Sequence, residues 1–184
     1  IKQKAENFDV EDLVATLREN VEHYQYVPRH DKTADRMLEI PLFDMHWGVS
    51  FLDDYKPILD DILDHINSHY WDCIIIPFGQ DFFHNDSVVN NITTKGTVVD
   101  KVDMVRAVKE GRQFITAIID NALLNANSVR VVYSPGNHDR SVTWMFMQVL
   151  LERYGPDVVD DSIEYRKVFT YGKNSIMVTH GDSK

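Results

Sequence analysis

Two hydrophobic periods alternate along the chain. From Asp9 to Tyr24, "DVEDLVATLRENVEHY" sets Val10, Leu13, Val14, Leu17 and Val21 at helical spacing, with Asp9 placed to cap the first turn. "QYVPRHDKTAD" breaks the pattern and reads as a linker. "MLEIPLF" predicts a short strand ending at Phe43, and Asp53 to Tyr70 predicts an amphipathic helix with Pro57 in its first turn. "CIIIPF" predicts a buried strand, and Gly79 to about Val99 a long loop rich in Asn and Thr. Lys101 to Ala126 reads as helix, "SVRVVYS" as strand and Ser141 to Tyr154 as helix. The tail "EYRKVFTYGKNSIMVTH" predicts a β-hairpin turning at "YGKN".

Strands thus alternate with helices from about residue 38 to 154, which predicts parallel βαβ units and an α/β fold. In open α/β sheets the functional groups gather beyond the carboxyl ends of the strands. Each predicted strand here ends in unusual chemistry: "DMHWG" after "EIPLF", "GQDFFHND" after "CIIIPF", "GNHDR" after "VRVVYSP", and "THGDS" after "SIMV".

Composition narrows the classes. The 184 residues are 43% hydrophobic and 26% charged, as in an ordinary globular domain. No run approaches the roughly 18 apolar residues of a membrane span, so no membrane role is expected. The single cysteine, Cys73, rules out a disulfide framework and favours a reducing compartment, the cytoplasm. A net charge of −10 argues against a protein that coats nucleic acid. It leaves room for an enzyme that holds phosphate through bound cations.

The residues at the strand ends fit that alternative. Asp, His and Asn supply the oxygen and nitrogen ligands used for Mn, Fe or Zn. Asp44 and His46 are two apart, so in extended backbone they share a side. A carboxylate such as Asp81 can bridge two cations, and two cations about 3.5–4 Å apart can clamp a phosphoryl displacement. Asn137 can ligate through its neutral carbonyl, with His138 beside it as a proton donor and Gly136 giving the turn its freedom. The blander readings are turn-forming Asn137 and Asp139, a loop His46 and a strand-ending His180. None of them explains the repetition at four strand ends.

With Asp44-Met45-His46, Asp81 in "GQD", "GNHD" and His180 in "THGD" in that order, the chain resembles the calcineurin-like metallophosphoesterases from about Leu38 to the C-terminus. The resemblance implies an αββα sandwich. Its first βαβ sheet would be present, and its second sheet would be incomplete because the chain stops before the family's last motif, GH-x-H. It implies two divalent metal ions, Mn²⁺ with Fe or Zn as alternatives. Asp44 and His46 would hold the first, Asp81 would bridge, and Asn137 and His180 would hold the second. A metal-bridging hydroxide would attack phosphorus, and His138 would protonate the leaving group. "GQD" departs from the family's "GD" by the inserted Gln80, and Asp86 is the lesser alternative for the bridge. "DFFH", Asp81 to His84, is similar to the nuclease subunit of double-strand-break repair complexes and to phage-encoded exonuclease-like members. It implies that His84 assists catalysis on a phosphodiester such as DNA. Thr93, Thr94, Lys95 and Arg140 are candidate substrate contacts, against a solvated role for the two cations.

The expected organisation is a helix and linker over 1–37 and a catalytic domain, truncated at its end, over 38–184. The chain opens on Ile1 rather than Met, so its natural start is expected upstream. The expected function is a two-metal phosphodiesterase or nuclease. A phosphomonoesterase acting on a small molecule or phosphoprotein, and a metal-binding scaffold without activity, are the alternatives. Trp47 and the "WMFM" of Trp144 to Met147 are expected in the core or a pocket wall, and His23, His30, His65 and His69 lack motif context.

Overall fold

β-Branched and aromatic residues make the central strands of the computed structural model, in which residues 24–27 and 30–181 are described. A four-stranded parallel sheet runs β1 (Met37–Glu39), β2 (Trp71–Gly79), β3 (Ala126–Ser134) and β4 (Val159–Asp160), in that spatial order. Helices α1 (Leu52–Asn67), α2 (Met104–Asn125) and α3 (Arg140–Tyr154) connect successive strands. A separate antiparallel pair, β5 (Lys167–Tyr171) and β6 (Asn174–Val178), follows. The fold is therefore mixed α/β, with a parallel sheet and a small antiparallel one.

The register explains the core. Ile74, Ile76 and Phe78 of β2 lie level with Val129, Val131 and Tyr133 of β3, and all six are buried in one apolar cluster. Each such side chain contributes about 1.5–3 kcal/mol. Helix α2 lays Ala107, Phe114, Ile118 and Ala122 into this cluster, and α3 adds Phe146, Met147 and Leu150. Pro77 sits in the central strand without an N–H. Its carbonyl still accepts from Leu42 N at 2.8 Å, where β1 has already left the regular ladder.

Several boundaries differ from the sequence reading. Helix α1 starts at Leu52, so Pro57 is its sixth residue and falls in the second turn, where it removes one helical hydrogen bond. The Asp54 carboxylate reaches back to Phe51 N at 2.9 Å and fixes the earlier start. The strand after α2 begins at Ala126, and the short β4 was not expected. The hairpin turns at Gly172 and Lys173, with Tyr171 paired to Asn174. Tyr171 ties it to the sheet by donating to Asp72 at 3.0 Å. The helix expected over 9–24 lies outside the described residues except for Tyr24. Tyr24 and Tyr26 pack against the core, and Tyr24 N donates to the Arg153 carbonyl. Among the described residues no helix is long and apolar enough to cross a membrane.

Candidate metal centre

Because β1, β2 and β3 are parallel, the segments that follow them leave from one edge of the sheet. Residues 44–47 run beside 80–84, stitched by Asp44 N to Gln80 O, His46 N to Asp81 O, Trp47 N to Phe82 O and His84 N to Trp47 O, at 2.8–3.1 Å. Buried aromatics anchor the two segments. Trp47, Phe82 and Phe83 are wholly enclosed, while His46 and His84 remain partly exposed and Asp44 is exposed. The extended backbone expected at Asp44 and His46 is not found: Asp44, His46, Gln80 and Asp81 all have φ between 48° and 68°. Residues other than glycine seldom adopt this left-handed region.

Asp81 is the hinge of the site. Its Oδ1 accepts from Asn137 N at 2.8 Å and from His138 N at 2.7 Å. Its Oδ2 lies 3.3 Å from His180 Nε2. The loop can wrap the carboxylate only because Gly136 has no side chain. A Cβ there would sit 2.2 Å from Asp81 Oδ1 and 2.4 Å from Asp81 N.

Two ligand groups result, and they divide Asp44 from His46, which were expected to share the first metal. Asp44, Asp81 and His180 bring carboxylate oxygens and an imidazole nitrogen within 4.8 Å of one another, and so do the imidazoles of His46, His84 and His138. His46 and His84 approach Nδ1 to Nδ1 at 3.4 Å, and the His46 and His138 rings meet edge to face with centroids 4.9 Å apart. Burial, then the neighbouring His138, hold the His46 imidazole below its usual value. Burial, then His46, do the same for His84. Both shifts favour the neutral imidazole, the form that ligates metal. His84 Nε2 is buried without a hydrogen-bond partner. Carboxylates with imidazoles make a donor set suited to Mn, Fe or Zn, so the residues fit divalent cations.

His138 Nδ1 lies 3.0 Å from the His84 carbonyl. A carbonyl can only accept, so Nδ1 carries a hydrogen and Nε2 is the nitrogen left for chemistry. Asn137 meets Asp81 through its backbone, and its side chain sits half-buried on the same loop.

The remaining expected contacts have local duties. Thr94 Oγ1 accepts from Arg140 N at 2.9 Å, and Thr94 N donates to the His138 carbonyl at 3.0 Å, so Thr94 braces the loop. Thr93 is buried and closes its own turn with Thr97. Lys95 and Arg140 are exposed. Asp86 caps α3, accepting from Ser141 N, Ser141 Oγ and Val142 N at 2.7–2.9 Å.

Asp139 is the residue that pattern reading left as a turn former. It is fully buried, and Oδ2 accepts from Phe83 N at 2.7 Å and from the Thr143 hydroxyl. It thereby fixes the segment carrying His84 to the first turn of α3. Burial pushes its carboxyl up to about 7, and Oδ1 has no partner. An Asp directly before a helix was the available signal.

Comparison with known proteins places no relative beside this arrangement: no family model, no curated protein and no solved structure matches the chain.

Proposed function

We propose that the chain is a metal-dependent phosphoesterase of the calcineurin-like type, acting as a two-metal phosphodiesterase or nuclease. One observation carries the reading: side chains from four separate strand ends converge as two adjacent ligand groups, one of them built on Asp81. Asp44, His46, Asp81, Asn137 and His180 would hold two divalent ions, with Mn²⁺ the expected metal. Bound cations would supply charge neutralisation and Lewis-acid activation at the phosphate.

The chain's own groups do the rest. Asp81 is oriented by two backbone N–H groups, so its carboxylate needs no rearrangement to receive a cation. The His84 carbonyl fixes the His138 ring through Nδ1–H and leaves Nε2 free; with a second proton on Nε2, as the imidazolium, the ring would protonate the leaving oxygen. His84 lies against both His46 and His138 and would assist at the phosphate by holding these two rings.

The test is hydrolysis of single- and double-stranded DNA with Mn²⁺, beside a phosphomonoester. The expected result is DNA cleavage that disappears with chelator and falls 10²- to 10⁴-fold in His138→Ala. Asp81→Asn should abolish turnover while leaving the far-ultraviolet circular dichroism unchanged. Turnover of the monoester alone would make the chain a phosphomonoesterase. Metal binding without turnover of either substrate would make it a scaffold.

A further inference from the structure

A second feature adjoins the ends of the loop that carries Asn137 and His138. A cavity of about 360 Å³ is lined by Pro135, Arg140, Trp144, Met145, Ile163 and Tyr165, among others. Pro135 and Arg140 are the two ends of that loop, so the cavity adjoins the segment that carries His138. Arg140 is two residues from His138, which bounds their Cα separation at about 7.6 Å. Three of its walls are apolar side chains left open to solvent: Trp144 at 38%, Met145 at 57% and Ile163 at 72% exposure. This is unlike Phe146 and Met147 of the same helix, which are buried in the core. Trp144 is held in place, its indole N–H donating to the Asp161 carbonyl at 3.2 Å.

We infer that this recess receives an unpaired nucleobase of the substrate, stacked on Trp144 with Tyr165 nearby and the adjoining phosphate beside Arg140. The inference rests on the phosphodiesterase reading. The chemistry of the recess favours this occupant. A planar apolar group satisfies the indole and the aliphatic walls, and a guanidinium at the lip suits the charge attached to that group. The net charge of −10 denies the chain a general electrostatic hold on a polyanion. Affinity must then come from the metal centre and from contacts that do not depend on charge, of which base stacking is the strongest. A base inside a duplex is already stacked and paired, so the recess selects single-stranded ends or frayed termini.

The experiment compares a thymidylate pentamer with an abasic deoxyribose-phosphate pentamer as substrates in Mn²⁺. The wild type should show a KM roughly tenfold lower for the base-bearing pentamer. Trp144→Ala should erase that difference while leaving the abasic rate unchanged, and Trp144→Phe should restore most of it. Melting curves establish that both variants fold. A wild type indifferent to the base, or a Trp144→Ala loss equal on both substrates, overturns the recess and leaves the phosphodiesterase reading standing. If the wild type cleaves neither pentamer, that reading falls, and binding decides the recess separately. In Mg²⁺, the thymidylate pentamer should quench a tryptophan signal that Trp144→Phe lacks, and the abasic one should not. Absence of that quench overturns the recess.

Discussion

Gly136 shows how tightly the site is set at the scale of single residues. A methyl group at that position would have to displace Asp81, whose Oδ1 would lie 2.2 Å away. Gly136→Ala should therefore cost about 1–3 kcal/mol in urea denaturation. Calorimetric titration with Mn²⁺ should show weaker binding, because the loop can no longer close on the carboxylate. Asp44, His46, Asp81, His84, His138 and His180, singled out at successive strand ends, do fall into the two groups, whereas the Asn137 side chain is in neither. Their grouping was not legible in the sequence. His84 stands with His46 and His138 because backbone hydrogen bonds run residues 44–47 alongside 80–84, a pairing between segments nearly forty residues apart. The buried duty of Asp139 was hidden for a similar reason, since its partner Phe83 N is far away in sequence.

Among the elements, α3 depends on a group outside itself. Its first-turn amides at Ser141 and Val142 are satisfied by Asp86 from the long loop after β2, not by its own N-cap residue. Asp86→Ala should lower stability by about 1–2 kcal/mol, the usual cost of losing a helix cap. It should also raise hydrogen exchange in both the loop and the first turn of α3. A stability loss without added exchange in the loop would show that the two are not coupled. Strands and helices with strong periodicity were readable to within a few residues. β4 was missed because two residues carry no period, and Pro57 was misplaced because the cap that starts α1 comes from Asp54 after the helix has begun.

For the molecule as a whole, acid sensitivity has an identifiable contribution on the sheet's far edge. Burial opposes charge on Asp160, yet its bonds with Ser162 and the Lys167 ammonium at 3.2 Å hold the carboxyl below the usual carboxylate range. A depressed carboxyl contributes stability that is complete above its unfolded value, near 4, and is lost as pH falls through the lower folded value. Urea midpoints measured from pH 7 to 3 should thus drop below about pH 4, and Asp160→Asn should flatten part of that limb. At neutral pH the same variant should be less stable, because Lys167 at 7% side-chain exposure would lose its counter-ion. An unchanged limb would assign the acid transition to other carboxylates.

The left-handed backbone at Asp44 and His46 carries an implication for how this sequence tolerates variation. Each holds a conformation that glycine adopts freely and that costs other residues on the order of 1 kcal/mol. A library of variants sorted only for cellular abundance should therefore enrich Gly or Asn at positions 44 and 46. The same library sorted for phosphoester turnover should return Asp and His. The two selections would pull apart at these positions, and the divergence would mark the residues kept for chemistry at the expense of folding.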